Sequence, residues 1–179
     1  TWVLWKDFFA DHGVGSSSTD KDMFAITWLD SSTVAVLIGN GVPAGLEVWY
    51  STNGGTTWAK NVLPSPHDIR SEGTLIFLGT RLIFGGENGE ILTAETPAGV
   101  WTSRLAAVET DHPQWVFAFV VSAQVAVLMN DNVHANSNMI ARTQDGGITW
   151  TKINGPAAWG GIAPTGATAI IIQGSLRWF

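Results

Sequence analysis

The sequence predicts an all-β protein built from repeated four-stranded antiparallel sheets, and three observations support this. Short β-rich runs alternate with turn residues, and no sustained helical period occurs. One turn pattern appears twice, at residues 50–58 and 142–150. A tryptophan follows each turn, and Trp58, Trp101 and Trp150 recur at about the 40–50-residue period of β-propeller blades. We therefore expect a β-propeller-type array of about four blades.

The repeated turns have the chemistry of a tight hairpin. Asn-Gly or Asp-Gly supplies the positive φ that short hairpins require, and a Ser or Thr hydroxyl two positions earlier can satisfy turn amides. The tryptophan that follows can bury roughly 150–250 Å². We expect a structural role for ten residues: Ser51, Asn53, Gly55, Thr57, Trp58, Thr143, Asp145, Gly147, Thr149 and Trp150.

These ten residues resemble the Asp box of the sialidase-like, or BNR, repeat family, whose pattern is roughly Ser/Thr-x-Asp-x-Gly-x-Thr-Trp. Residues 143–150 match every position, and residues 51–58 match with Asn53 in place of Asp. We call residues 51–58 box 1 and residues 143–150 box 2. The resemblance implies that each box is a structural surface hairpin between the third and fourth strands of a propeller blade.

The first residues of the chain repeat the strand that follows each box. Thr1-Trp2-Val3-Leu4-Trp5-Lys6 therefore predicts a final strand without its own blade, within residues 1–8. Residues 9–23 are polar and rich in Gly and Ser, which predicts a loop. Asp11 and His12 lie there, and a solvated pair is favoured over a metal or catalytic pair because no second set of ligands accompanies them.

The rest of the chain divides into four units of one propeller domain that spans residues 1–179. The predicted blades are residues 24–63, 73–106, 115–154, and 158–179 together with 1–8. The expected strands are 24–29, 33–38, 46–51 and 58–63; 74–78, 81–85, 90–94 and 101–105; 115–121, 124–129, 138–142 and 150–153; and 160–164, 168–173 and 175–179. A Gly/Pro loop is expected at 39–45, and the turn at 95–100 has lost the box but keeps Trp101.

The fourth unit ends where a box should begin, and two interpretations follow. In the first, the N-terminal strand completes the C-terminal blade and closes a four-bladed ring, which protects exposed sheet edges. In the second, the sequence is a fragment of a larger propeller. The chain does not begin with Met and lacks the basic region of a signal peptide, which favours a processed, trimmed or partial chain.

Composition limits the classes of function. The net charge is −6 and 13% of residues are charged, so neither nucleic acid nor an anionic membrane surface is an expected partner. Apolar runs are too short for membrane insertion. Cysteine is absent, which excludes disulfides and thiolate metal sites and leaves the compartment open, with an extracellular, virion or surface location slightly favoured.

No catalytic set can be assigned from the sequence. The family resemblance implies an arginine triad, a Tyr nucleophile paired with Glu, and an acid/base Asp. The one tyrosine is Tyr50, beside box 1, where its ring is expected to pack on the sheet. The His-carboxylate pairs at 67–68 and 111–112 do not converge on strands, and Glu87 and Glu90 fit a hairpin turn. We expect no catalytic residue, no metal and no cofactor.

Three functions therefore stay open. The favoured one is a non-catalytic binding module that recognises a glycan or a protein partner through its loops and ring face. Trp159 and the amide-rich loop with His134 and Asn136 are the candidate ligand-binding residues, because aromatic rings and amides suit carbohydrate. The second is a structural or assembly protein of a virion or surface appendage, in which sheet edges pair into a homo-oligomer. The third is a sialidase-like glycoside hydrolase fragment.

Overall fold

The structure is a computed structural model that describes residues 23–41, 44–64, 73–86, 89–105, 114–131, 139–154, 169–172 and 175–178. These residues form β-strands joined by turns, and none of them lies in an α-helix. The strands make up three four-stranded sheets and one two-stranded sheet, with every neighbouring pair antiparallel. The predicted all-β, propeller-type fold class is confirmed.

Each of the three larger sheets is a meander in which strands follow their sequence order. Sheet 1 consists of β1 (Met23–Trp28), β2 (Val34–Gly41), β3 (Ala44–Ser51) and β4 (Ala59–Val62). Sheet 2 consists of β5 (Thr74–Leu78), β6 (Arg81–Gly85), β7 (Ile91–Ala94) and β8 (Thr102–Leu105). Sheet 3 consists of β9 (Gln114–Val120), β10 (Ala126–Asp131), β11 (Met139–Thr143) and β12 (Thr151–Asn154). A last hairpin pairs β13 (Ala169–Ile172) with β14 (Ser175–Trp178).

One expected loop is wrong in extent. Residues 39–45 were expected to form a Gly/Pro loop, but β2 continues to Gly41 and β3 begins at Ala44, with Asn40 opposite Gly45. The strand ladder consists of backbone hydrogen bonds, which glycine makes as other residues do, so the hairpin extends beyond its apolar side chains. The expected N-terminal strand and its pairing with residues 175–179 lie outside the described residues, as do residues 9–22 of the expected loop. The last residue of that loop, Met23, instead begins β1, where it pairs with Ile38. The blade boundaries stay a prediction.

The core lies between the sheets. One buried cluster joins sheets 1 and 2 and includes Leu37, Val48 and Phe84. A second cluster joins sheets 2 and 3 and includes Ile83 and Trp115. Sheet 2 is therefore covered on both faces, which explains why β7 is buried at every position instead of alternating between buried and exposed residues.

The first strands of consecutive sheets lie side by side. β5 contacts both β1 and β9, and the backbone N–H of Phe77 in β5 donates a hydrogen bond to Oγ1 of Thr27 in β1, at 3.2 Å. Consecutive sheets are thus stacked face to face, with their first strands side by side. A turn joins the third strand of each sheet to the fourth, and in sheets 1 and 3 this turn is the box. This arrangement brings the turns of sheets 2 and 3 together.

Candidate functional site

Box 1 is held together by the hydroxyl of Ser51 and the side chain of Asn53. Ser51 is buried, and its Oγ accepts hydrogen bonds from the backbone N–H of Gly55 at 2.8 Å and of Asn53 at 3.3 Å. Asn53 Oδ1 accepts from the backbone N–H of Thr57 at 2.9 Å. Trp58 then donates its indole N–H to the carbonyl of Gly55 at 3.0 Å. The amides of Asn53, Gly55 and Thr57 are thus satisfied within the box, so the hairpin has a defined shape.

Box 2 repeats this arrangement. Oγ1 of Thr143 accepts from the backbone N–H of Gly147 at 2.9 Å, and Asp145 Oδ1 accepts from the backbone N–H of Thr149 at 2.9 Å. The indole N–H of Trp150 donates to the carbonyl of Gly147 at 3.2 Å. In both boxes the two central glycines have positive φ, between 66° and 84°.

Each box is also anchored to the first turn of its own sheet. The backbone N–H of Gly54 donates to the carbonyl of Ser32 at 2.8 Å, and that of Gly146 donates to the carbonyl of Gln124 at 2.9 Å. The number of residues between Ser51 and Thr143 is the same as the number between Ser32 and Gln124. Sheets 1 and 3 therefore carry the same contacts at corresponding positions.

Sheet 2 keeps the tryptophan but lacks the box. Trp101 is buried, and no described residue accepts a hydrogen bond from its indole N–H. The turn before it is closed by the backbone N–H of Gly99, which donates to the carbonyl of Thr96 at 2.8 Å. Asn61 of sheet 1 donates to the carbonyls of Pro97 and Gly99, both at 2.8 Å. A contact from the neighbouring sheet thus supports the turn that has lost its own side-chain bonds.

A cleft of about 220 Å³ opens where the turns of sheets 2 and 3 meet, and we take it as the candidate site. Arg81 crosses it. The guanidinium binds both carboxylate oxygens of Glu95, with Nη2 at 2.9 Å from Oε1 and 2.7 Å from Oε2, and Nη1 donates to the carbonyl of Gly146 in box 2. The cleft is lined by Leu78, Gly79, Thr80, Arg81, Glu95, Ala123, Gln124, Asp145, Gly146 and Ile148.

The two carboxylates of the cleft, Glu95 and Asp145, already have partners inside the protein. The Arg81 guanidinium lowers the pKa of Glu95, and Arg104 lies 3.6 Å from the same carboxylate. Hydrogen bonds from the Thr149 hydroxyl and backbone lower the pKa of Asp145 to about 2. Both carboxylates are therefore ionised at neutral pH and already hydrogen-bonded within their own sheets, which suits fixed structural contacts and not proton transfer.

The Asp145 carboxylate should make box 2 sensitive to acid. Its pKa is lower in the folded state than in the unfolded chain, so its contribution to stability is fully present above about pH 4 and is lost as the pH falls towards about 2. We expect urea unfolding to show a loss of stability across this window that is smaller in an Asp145→Asn variant. Identical pH dependence in both proteins would contradict this role of the carboxylate.

The cleft residues differ from the ligand-binding residues expected from sequence. Trp159, His134 and Asn136 lie outside the described residues, as do the His-carboxylate pairs at 11–12, 67–68 and 111–112, and Glu87. Tyr50 is half-buried and packs against the cluster between sheets 1 and 2. Glu90 accepts a hydrogen bond from the backbone N–H of Gly86 through its main-chain carbonyl, at 3.1 Å.

Sequence reasoning missed the Arg81–Glu95 pair, although a signal for it exists. Leu82 pairs with Ala94 across β6 and β7, so the next antiparallel pair outwards is Arg81 with Glu95. Opposite charges at facing positions of neighbouring strands attract one another. The expected strands at 81–85 and 90–94 place Arg81 and Glu95 at the same end of their hairpin, so the pair could have been inferred from them.

The described residues contain neither a cluster of metal-binding side chains nor a membrane-spanning helix. No group of three or more His, Cys, Asp or Glu side chains there could hold a metal ion. In the same part of the chain, no helix has the length and apolar character needed to cross a membrane.

Comparison with known proteins supports the fold. No protein-family model matches the sequence, and no curated protein matches it. The solved structures that resemble it include YCF48 bound to a D1 peptide (19% identity, TM-score 0.53, covering 75% of this chain and 41% of that one). They also include YCF48 from Cyanidioschyzon merolae (17% identity, TM-score 0.52, covering 75% of this chain and 37% of that one). A third is the GH74 xyloglucanase from Xanthomonas campestris (15% identity, TM-score 0.57, covering 87% of this chain and 26% of that one).

These likenesses define the class of the protein as a β-propeller. At such low identities the fold alone is shared. The chain spans less than half the length of the propellers to which it is similar.

Proposed function

We propose that this chain is a non-catalytic β-propeller module that binds a protein partner, sheet against sheet, through the outer face of sheet 1. The observation that carries the proposal is a set of exposed apolar side chains on the face of sheet 1 that points away from sheet 2: Met23, Ile26, Trp28 and Val62. The same outer face also carries Val34, Val36 and Ile38, which are buried, and Trp49, which is half-buried.

Strand register shows that these residues share one face. Ile26 lies opposite Val36, and Val36 lies opposite Trp49. Since side chains alternate along a strand, Ala35 and Leu37 point to the other face, where they join the cluster with sheet 2. On the outer face Trp28 is 54% exposed and Val62 is 58% exposed. Exposed apolar residues grouped in this way are typical of interaction surfaces.

The corresponding face of sheet 3 indicates the kind of partner. Trp150 occupies the place of Trp58 after the box, and Leu128 occupies the place of Val36 in the second strand. Both residues of sheet 3 are buried in the cluster formed with sheet 2. The same surface, repeated in sheet 1, is therefore suited to another antiparallel sheet.

A polar group lies within the outer face. Glu47 accepts from the indole N–H of Trp49 at 3.1 Å and forms a salt bridge with Lys60 at 2.9 Å. Because the carboxylate already has partners inside the protein, covering it does not leave an unpaired charge. The solved complex of YCF48 with a D1 peptide adds support, since a protein of similar fold is bound there to a peptide.

Self-association of the 179-residue chain tests the proposal, because a second copy provides a sheet of the right kind. We expect sedimentation velocity to show concentration-dependent oligomers that Trp28→Asp weakens about tenfold or more, as for an aromatic side chain buried in an interface. Val100→Asp is the matched control, since Val100 is 89% exposed on a turn of sheet 2. A chain that stays monomeric, or equal effects of the two variants, would argue against the outer face as an interface.

The glycan alternative draws support from the same exposed indole, because sugars stack on aromatic rings. A glycan array separates the two proposals: a specific hit that Trp28→Ala abolishes, together with a monomeric chain, favours carbohydrate. For the hydrolase alternative, turnover of a fluorogenic sialoside that Tyr50→Phe removes would be required.

A further inference from the structure

Box 1 has an asparagine, Asn53, where box 2 has Asp145, and a glycine follows each. Asn53 and Gly54 are both exposed. An asparagine followed by glycine is prone to deamidation, because glycine has no Cβ to obstruct attack by its backbone nitrogen on the side-chain amide. We propose that Asn53 is a deamidation site that the folded box protects, and that box 1 accepts aspartate at position 53 without rearrangement.

The chemistry needs only water. The backbone nitrogen of Gly54 bonds to Cγ of Asn53, and the bond from Cγ to Nδ2 breaks. The side-chain nitrogen leaves as ammonia and takes up the proton that the Gly54 nitrogen gives up. Water then opens the resulting succinimide ring at one of its two carbonyls, which yields either aspartate or isoaspartate at position 53.

Box 2 shows that aspartate fits the position. Oδ1 of Asn53 lies 3.0 Å from the Ser51 hydroxyl and 2.9 Å from the Thr57 amide, and the matching distances from Asp145 Oδ1 are both 2.9 Å, to the Thr143 hydroxyl and the Thr149 amide. The backbone and the first oxygen of the side chain thus have the same surroundings in both boxes.

The remaining atom of the side chain differs only in the direction of its hydrogen bond. Nδ2 of Asn53 donates to the Thr57 hydroxyl at 2.8 Å, whereas Oδ2 of Asp145 accepts from the Thr149 hydroxyl at 2.6 Å. A hydroxyl group can donate or accept. Rotation of the Thr57 hydroxyl hydrogen is therefore sufficient to accommodate the new carboxylate.

The folded turn opposes the first step of the reaction. The attacking nitrogen of Gly54 donates its hydrogen to the carbonyl of Ser32 at 2.8 Å. Hydrogen bonds from Ser51 and Thr57 hold the Asn53 side chain in one orientation. Deamidation consequently requires the turn to open, and its rate reports local unfolding of box 1.

The isoaspartate product should not fit. It adds one carbon to the backbone between positions 53 and 54, which moves the Gly55 amide away from its acceptor, Ser51 Oγ, at present 2.8 Å distant. Molecules that refold after deamidation should therefore contain aspartate at position 53, and isoaspartate should collect in the unfolded fraction.

Peptide mapping of chain aged at mildly alkaline pH tests the proposal. We expect Asn53 to deamidate at least about tenfold more slowly in the native chain than in the urea-denatured chain. Ser51→Ala, which removes an anchor of the turn, should raise the native rate towards the denatured one. The other Asn-Gly pairs, at Asn40, Asn88 and Asn154, are internal controls for global unfolding.

Two further variants keep the test decisive if Ser51→Ala does not fold. Thr57→Val removes a single hydroxyl and should raise the native rate at position 53 alone. Asn53→Asp should be at least as stable as the parent chain. Equal rates in native and denatured chain, no acceleration in either opened variant, or a destabilised Asn53→Asp variant would overturn the proposal.

Discussion

Replacing Gly147 by alanine is expected to lower the free energy of unfolding by about 2–5 kcal/mol. Two costs add together. The φ of Gly147 is +84°, which an L-residue rarely adopts, and a Cβ at this position would lie 2.7 Å from Cδ1 of Ile83 in sheet 2. Box 2 packs so closely on sheet 2 that even one methyl group has no room. Urea or thermal unfolding of the purified variant gives the measurement.

Gly54 offers a matched control for that substitution. Its φ is +66°, but a Cβ there would meet only the carbonyl oxygen of Ser31, at 3.8 Å. Gly54→Ala should therefore show the backbone strain without the steric clash, at a cost of about 1 kcal/mol. If the two alanine variants were equally stable, close packing between box 2 and sheet 2 would be refuted.

Truncation of Phe84 to alanine should cost about 3–5 kcal/mol. Phe84 is fully buried, at 0% exposure, in the cluster that joins sheets 1 and 2. Removing its ring leaves a cavity between the sheets, and the lost transfer energy adds to the lost contacts. Denaturant unfolding should show a lower midpoint with an unchanged slope if the fold is retained.

Phe117→Ala makes the same chemical change at an exposed site. Phe117 lies on β9 with 44% of its surface exposed, so its loss should cost clearly less than that of Phe84. A smaller effect at Phe84 than at Phe117 would mean that the faces of sheets 1 and 2 are not packed together as described.

Much of the fold could be predicted because the side chains that define the repeat interact with residues close to them in sequence. In the boxes, Asn53 and Asp145 form hydrogen bonds with residues within four positions along the chain. Their structural role can therefore be inferred from the sequence without knowledge of the rest of the fold. Trp101 could be placed by spacing alone, even though its turn has no box. The strand ends were less accurate, since the ladder at Gly41 and Ala44 depends on backbone atoms that all residues share.

The cleft and the outer face were harder to foresee. Arg81 reaches Gly146, in another sheet, and this contact depends on how the sheets stack. The burial of Trp150 against Ile83 has the same origin, as does the exposure of Trp28. Such features follow from packing between repeats, and a pattern within one repeat does not contain them.

The closest test of the stacked-sheet structure is a double-mutant cycle between Gly147→Ala and Ile83→Val. Valine lacks the Cδ1 atom that lies 2.7 Å from the added methyl group, so Ile83→Val should relieve part of the damage caused by Gly147→Ala. We expect the double variant to be more stable than the sum of the single effects predicts, by about 1 kcal/mol or more. Strict additivity would show that box 2 does not lie against sheet 2 and would contradict the structure.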